Sequence, residues 1–126
     1  MAGLKPKFDD YPKRGEIWQV FLEPVLGHEI GKTRPALVIS NNKNNEYSST
    51  VTLIPITSSI DKVYPFEVFL SRSESDRPLD SKLKCSQIRT VDKLRLLKVV
   101  GEISDEIIKK VEEALLIHVG ISKMSL

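Results

Sequence analysis

The hydrophobic residues of this chain fall into short runs separated by turn-forming residues, a pattern typical of small β-proteins. Bulky side chains occupy both faces of Glu16–Leu22, and the run Arg34–Ser40 is apolar at every position from Ala36 to Ile39. Both segments are predicted to be strands, the second one buried on both faces. The long connection between them, Glu23–Thr33, exceeds most hairpin loops and is therefore expected to be functional or mobile.

Further strands are predicted downstream of a turn-forming loop at Asn41–Asn45. Their expected ranges are Thr50–Ile56, Phe66–Leu70 with Phe66, Val68 and Leu70 pointing inward, Lys82–Thr90, and a short strand around Val99–Ile103. Five or six short strands followed by one helix predict a fold that is mainly β with an α-helical part. We expect a small, strongly bent antiparallel sheet, near to a barrel, with the helix packed on it.

The predicted helix begins after Ser104, whose hydroxyl can cap it, with Asp105 and Glu106 in its first turn. Ile107, Ile108, Val111, Leu115 and Val119 recur at helical spacing before Gly120. We expect one domain at 14–121, preceded by a flexible leader at 1–13 and followed by a short tail at 122–126.

Composition excludes several classes of protein. The 126 residues include one cysteine, Cys85, and two distant histidines, so neither an internal disulfide nor a zinc site is expected. We predict no metal and no cofactor. No apolar run approaches the roughly twenty residues of a membrane span, and no secretion signal follows the N-terminal lysines. We therefore expect a cytoplasmic protein without a membrane partner.

Positive charge is concentrated in one segment, although the formal net charge is only +2. Six basic residues and one acid lie between Lys82 and Lys98, whereas Glu102 to Glu113 holds five acids and two lysines. Clustered rather than total charge determines phosphate binding. Charge patterning alone leaves two interpretations equally open, a nucleic-acid surface and an ordinary solvated one.

Six motifs in order carry a resemblance to a known family. They are RGEIW at Arg14–Trp18, G-x-E-x-x-x-x-R-P at Gly27–Pro35, PALVIS at Pro35–Ser40, PITS at Pro55–Ser58, YPFEV at Tyr64–Val68 and QIRTVDKLRL at Gln87–Leu96. Together they resemble the MazF/PemK toxins, from Arg14 to about Ile121. The resemblance implies an SH3-like barrel forming a two-fold homodimer, an endoribonuclease activity on single-stranded mRNA, and inhibition by a cognate acidic antitoxin.

The resemblance carries the family's catalytic arginine and threonine onto Arg34 and Thr57, and its acidic loop residue onto Glu29. Arginine offers a permanently charged planar fork for two phosphate oxygens, and a threonine hydroxyl can donate to phosphate without adding charge. Glu29 is the third candidate catalytic residue, either as general base or as an orienting partner for Arg34. Such a site needs neither metal nor water if the 2'-hydroxyl of the RNA attacks the neighbouring phosphorus. The expected products carry 2',3'-cyclic phosphate and 5'-hydroxyl ends.

Five further residues are expected to contact RNA: His28, Ser58, Lys84, Gln87 and Arg89. Among them, Gln87 resembles the family position that contacts RNA bases. His28, with Ile30, departs from residues common in the family, and Ser86 replaces an acid found in some relatives, so the RNA sequence recognised is not carried over. Alternative functions are a topoisomerase poison like the CcdB proteins and a non-catalytic RNA-binding barrel. A ribonuclease using His28 and His118, or a Cys85 nucleophile, is less favoured, since Cys85 is expected to be a small buried residue.

Overall fold

The fold is taken from a computed structural model that describes residues 10–75 and 77–122. Most of the predicted leader and tail lies outside these residues. At the start of the described chain, Pro12 is buried and the backbone N–H of Lys13 donates to Glu16 at 2.7 Å. Residues 10–13 are therefore attached to the first strand.

Three antiparallel strands form the centre of the sheet: β1 (Glu16–Phe21), β2 (Thr33–Val38) and β3 (Thr50–Thr57). All three predicted strands are confirmed to within two residues. Ala36 to Ile39 are buried, as expected for a strand covered on both faces. Pro35 lies inside β2, opposite Gln19 of β1, rather than at the strand's first residue.

Four shorter strands complete the sheet: β4 (Val68–Leu70), β5 (Ser81–Leu83), β6 (Arg89–Asp92) and β7 (Leu96–Glu102). The strand order is β4-β5-β3-β2-β1-β7, and β6 pairs with the first half of β3. The predicted bent antiparallel sheet is confirmed. Within the described ranges no strand pairing closes it into a barrel.

The predicted fifth strand, Lys82–Thr90, is wrong as a single element. A 3-10 turn at Cys85–Gln87 separates β5 from β6. Each of the two strands then pairs with a different part of β3. Leu83 and Cys85 are both buried two positions apart, as in a continuous strand, so this spacing did not reveal the break. Phe66 was predicted to begin the fourth strand, but β4 begins at Val68. The Phe66 side chain is only half-buried and stacks on Tyr64.

Three helices lie around the sheet: α1 (Asn42–Tyr47), α2 (Arg72–Ser75) and α3 (Asp105–Val119). The C-terminal helix is confirmed, with its Ser104 cap and with Gly120 in the left-handed conformation. The loop predicted at Asn41–Asn45 is wrong, because the Asn41 side chain accepts from the Asn44 N–H and caps α1. Asn45 is then buried and donates to the Ser40 carbonyl. No helix among the described residues could cross a membrane.

Each face of the sheet covers its own hydrophobic cluster. The larger one packs against α3 and includes Ile17, Leu37, Ile54, Ile56, Leu83 and Val111. The smaller one contains Val20, Leu22, Ala36, Val51, Leu53 and Val91, with Trp18, Ile30 and Leu96 against it. Since neighbouring strand residues point to opposite faces, β2 and β3 contribute to both clusters. They form a rigid base for the residues at their ends.

Candidate functional site

Arg34 and Thr57 lie at the same end of two paired strands. Strands β2 and β3 pair with Ala36 opposite Pro55 and Val38 opposite Leu53. The pairing ends at Ala36 and Pro55, and Arg34 and Thr57 each lie two residues beyond that pair. The two residues expected to be catalytic are therefore at one end of the sheet, although 23 positions separate them in the sequence.

Arg34 is half-buried and is held by the loop that precedes it. Its Nε donates to the carbonyl of Gly31 at 3.0 Å. That contact uses one of the five N–H donors of a guanidinium. The remaining donors are available to an anion, in a side chain whose orientation is already restricted.

Thr57 ends β3 with only 9% of its surface exposed. Its hydroxyl oxygen accepts a hydrogen bond from the backbone N–H of Ser59 at 3.2 Å. A hydroxyl that accepts one bond can still donate its own proton. Thr57 therefore keeps a proton to donate at this end of β3.

A cleft of 340 Å³ opens at this end of β2 and β3. It is lined by Lys32, Thr33, Arg34, Pro35, Ile56, Ser58, Arg77, Pro78, Leu79 and Ser81. Three of these side chains are cationic and three carry hydroxyls, and no carboxylate of the described residues lines the cleft. Such a lining favours anions, and phosphate groups in particular.

The sequence also matches a family model. Residues 13–119 fit the family described as PemK-like and MazF-like toxins of type II toxin-antitoxin systems. This chain belongs to the PemK/MazF toxin family. The match covers the whole sheet and α3, including the Arg34 cleft.

Individual relatives agree with this assignment. The endoribonuclease MazF9 of Mycobacterium tuberculosis is 40% identical over 114 residues, which are 86% of this chain and 97% of the relative. The crystal structure of MazF from Deinococcus radiodurans superimposes with a TM-score of 0.78 at 27% identity, covering 89% of this chain and 99% of that one. The structure of a mycobacterial endoribonuclease in complex with its cognate antitoxin superimposes with a TM-score of 0.72 at 25% identity. The match covers 90% of this chain and 99% of that chain.

A second depression of 330 Å³ is lined by Glu29, Ser86, Gln87, Ile88 and Arg89. The Glu29 carboxylate accepts from the backbone N–H of Leu26 at 2.7 Å, within its own loop. Glu29 thus lines this depression and not the cleft around Arg34. Arg34 and Ser58 line the cleft, Thr57 ends β3 next to Ser58 without lining it, and Glu29, Gln87 and Arg89 line the second depression.

Residues after β5 hold the β1–β2 loop instead of projecting freely. The Gln87 side chain accepts from the Ile30 N–H at 3.1 Å and donates to the His28 carbonyl at 3.3 Å. Arg89 donates to the carbonyl of Leu22 at 3.3 Å. Arg95 donates to the carbonyls of Phe21 and Glu23. The loop predicted to be functional or mobile is thus bound at its base and near its tip.

Lys84 belongs to an ion cluster centred on Glu67. Lys82 Nζ lies 2.9 Å from one oxygen of this buried carboxylate, and Lys84 Nζ lies 3.7 Å from the other. Burial by itself raises the pKa of Glu67. The hydrogen bonds from Lys82 and the Tyr64 backbone, together with both lysine charges, outweigh burial and hold the pKa below its ordinary value.

Cys85 and His118 take no part in either depression. Cys85 is fully buried, and burial, followed by the nearby Glu67 charge, raises the pKa of its thiol to about 12. The prediction of a small buried residue is confirmed. A thiol with this raised pKa stays protonated near neutral pH. The His118 ring lies 6.3 Å from that of Phe66, on α3. No cluster of three His, Cys, Asp or Glu side chains suited to a metal occurs among the described residues.

Sequence reasoning missed two residues of the cleft, Lys32 and Arg77. Lys32 stands two positions before Arg34 and could have been found from that proximity. Arg77 lies in a segment without a motif, between α2 and β5. Only the folding of that segment across the end of β3 brings it beside Arg34, so no sequence signal could have identified it.

Proposed function

We propose that this protein is a sequence-specific endoribonuclease toxin that cuts single-stranded mRNA without a metal ion. The observation that carries the proposal is the cleft lined by Arg34 and Ser58, next to the strand end at Thr57, where three cations and three hydroxyl-bearing residues meet without a carboxylate among the described lining residues. The family membership and the name of the mycobacterial relative support the same function.

The proposed reaction is an internal displacement on the RNA. The 2'-oxygen at the cut site attacks the adjacent phosphorus, the bond from phosphorus to the 5'-oxygen breaks, and that oxygen takes up a proton. The products are a 2',3'-cyclic phosphate and a 5'-hydroxyl. The protein must orient the phosphate, stabilise its developing charge and move one proton.

Arg34 and Thr57 would act on the phosphoryl oxygens. The guanidinium retains donors beyond the one used on Gly31, and the Thr57 hydroxyl can donate while it accepts from Ser59. Donors aimed at developing charge in a preorganised site commonly contribute a factor of about 10² to 10³ in rate. Lys32, Ser58 and Arg77 would bind the phosphates on either side.

Glu29 remains the proposed proton acceptor, and His28 and Arg89 remain proposed RNA contacts. For these roles the RNA must run from the Arg34 cleft into the depression lined by Glu29 and Arg89. A single strand has the flexibility to do so, with unstacked bases exposed to the protein.

The proposal includes a cytoplasmic homodimer and an acidic antitoxin. A carboxylate-rich, partly disordered tail can occupy a cationic cleft in place of phosphate. One solved relative is a complex of an endoribonuclease with its cognate antitoxin. Sedimentation at micromolar concentration should show the dimer, and RNA binding should be lost at saturating antitoxin.

End-group analysis of the products tests the reaction directly. Purified protein should cut RNA in EDTA and leave 2',3'-cyclic phosphate and 5'-hydroxyl ends. A single 2'-deoxy substitution at the mapped cut nucleotide should stop cleavage there and leave other sites unaffected. A 5'-phosphate product, or inhibition by EDTA, would contradict the proposed chemistry. Absence of cleavage on any RNA would favour a topoisomerase poison or a non-catalytic barrel.

A further inference from the structure

The Gln87 side chain bonds the backbone of the β1–β2 loop through both ends of its amide. Its oxygen accepts from the N–H of Ile30 at 3.1 Å, and its nitrogen donates to the carbonyl of His28 at 3.3 Å. One amide thereby bonds the backbone of two loop residues, as a neighbouring strand would. Because Gln87 follows β5 closely, the loop is attached to the sheet far from its own ends.

The loop segment that follows Ile30 is fixed on its other side by Glu23. The Glu23 carboxylate accepts from the backbone N–H of Lys32 at 2.5 Å. It also packs so closely on Gly31 that a Cβ there would overlap it. Ile30 itself packs on the smaller hydrophobic cluster. The peptide groups from Ile30 to Lys32 are therefore restrained from three directions.

The Gly31 carbonyl in this restrained segment accepts the hydrogen bond from Arg34 Nε at 3.0 Å. A continuous chain of contacts thus leads from Gln87 through Ile30 and Gly31 to the guanidinium. We propose that Gln87 is a positioning residue for Arg34, which holds the loop so that the Gly31 carbonyl orients the guanidinium into the cleft. The inference rests on the proposed function of Arg34.

This role differs from the base contact expected from the sequence. A glutamine that reads a base needs a free donor and a free acceptor. Here one N–H and one lone pair of the Gln87 amide already bond the loop, so a base could use only the second N–H and the second lone pair, in the orientation that the loop fixes. If Gln87 acts through Arg34, its loss slows cutting at every site alike. If it reads a base, its loss changes which sites are cut.

Two variants separate hydrogen bonding from packing. Gln87→Met keeps nearly the same volume but removes both bonds, whereas Gln87→Glu keeps the acceptor for Ile30 and loses the donor to His28. We expect Gln87→Met to lower kcat about tenfold, with KM changed less than threefold, since small displacements of a catalytic group are costly. Gln87→Glu should lower kcat less than Gln87→Met.

A double-mutant cycle tests the route through Arg34. In an Arg34→Lys background the planar Nε donor is absent, so Gln87→Met should lower the remaining rate less than twofold. Sequencing the cleavage products of a randomised RNA pool should give the same site preference for wild type and Gln87→Met. A full tenfold loss in the Arg34→Lys background, or relaxed preference at one nucleotide, would overturn the positioning role.

A measurement on the free protein keeps this inference separate from the proposed activity. The NMR resonance of the Arg34 Nε–H should shift in Gln87→Met, because its acceptor is no longer held in place. An unchanged resonance would overturn the positioning role even if the enzyme is active. Absence of cleavage by wild type would contradict the proposed function alone, and the resonance would still report whether Gln87 orients Arg34.

Discussion

Two groups of basic residues in this molecule have opposite surroundings. Lys32, Arg34 and Arg77 line an open cleft without a carboxylate from the described residues. Lys82 and Lys84 surround the buried Glu67, whose side chain is only 1% exposed. The first group can bind an external anion, because its charge is not matched within the cleft. The second already has its anion inside the protein.

The comparison shows how little local charge density in the sequence says about the proposed cleft. Six basic residues lie between Lys82 and Lys98. Lys82 and Lys84 pair with Glu67, whereas Arg89 and Arg95 bond backbone carbonyls, which hold these side chains without neutralising their charge. The proposed catalytic cleft takes its cations from separate parts of the chain. The sequence alone therefore does not show which cations the fold pairs with a carboxylate.

The largest expected effect comes from Arg34. Arg34→Ala should lower the cleavage rate by about 10³-fold, because it removes a preorganised cation from the phosphoryl oxygens. Arg34→Lys should recover little of this loss, since lysine lacks the planar fork. Kinetics on a short RNA with one mapped cut site would measure both.

The matched control is Lys98→Ala, which removes an exposed cation on β7, outside the cleft. It should keep a rate within about twofold of wild type. The stability lost in Arg34→Ala should stay near 1 kcal/mol, the cost of about one hydrogen bond. Near-normal cleavage by Arg34→Lys would mean that this position only attracts RNA. The cations of the cleft would then differ from those around Glu67 in RNA binding but not in catalysis.

The next largest effect is on the free energy of unfolding, and it comes from the ion cluster of Glu67, Lys82 and Lys84. Glu67→Gln should lower the free energy of unfolding by about 3 kcal/mol, because it leaves a buried lysine without its counter-charge. Urea denaturation would measure the loss. Glu112→Gln is the control, since its pair with Arg14 joins side chains that are 50% and 32% exposed. That variant should lose no more than about 0.5 kcal/mol. Equal losses would remove the distinction between the buried cluster and the surface.

The Glu67 contribution should also depend on pH. The folded-state pKa of Glu67 lies below its ordinary value of 4.5. A carboxyl group with a lowered pKa contributes stability fully above its unfolded pKa and loses that contribution as the pH falls through the folded pKa. The stability difference between wild type and Glu67→Gln should therefore be constant near neutral pH and shrink below about pH 4.5. A difference that persists unchanged down to about pH 3 would contradict the ion-pair explanation.

Most elements of the fold were predictable, because their hydrophobic patterns matched their structures. The runs that became β1, β2, β3 and α3 carry clear periods and an intact cap at Ser104. The two failures have different causes, because long-range pairing interrupts the predicted fifth strand, whereas the helix cap at Asn41 is a local interaction in residues that also form turns. Asn41 caps a helix instead of forming a turn, and Cys85–Gln87 breaks a strand because β5 and β6 pair with different parts of β3.

The candidate site was predictable only in part. Arg34 and Thr57 were found through family motifs, and the pairing of β2 with β3 then explains why both lie at one end of the sheet. Gln87 was identified as a base contact, yet its amide bonds the β1–β2 loop. A glutamine amide can bind a base or hold a loop, and the sequence does not show that the β1–β2 loop lies beside Gln87. Arg77 depends on long-range folding and leaves no local signal.

The smallest expected effect is on the salt dependence of RNA binding, measured for one cation of each group, Arg77 and Lys84. Arg77→Ala should reduce the slope of log binding constant against log salt concentration by about 0.7, the value for one phosphate contact on a single strand. Lys84→Ala should reduce it by less than half as much, because the Lys84 charge is partly matched by Glu67. RNA with a 2'-deoxy cut site would allow binding to be measured without cleavage. Equal slopes for the two variants would show that phosphate contacts both groups, and that pairing with a buried carboxylate does not withdraw Lys84 from RNA.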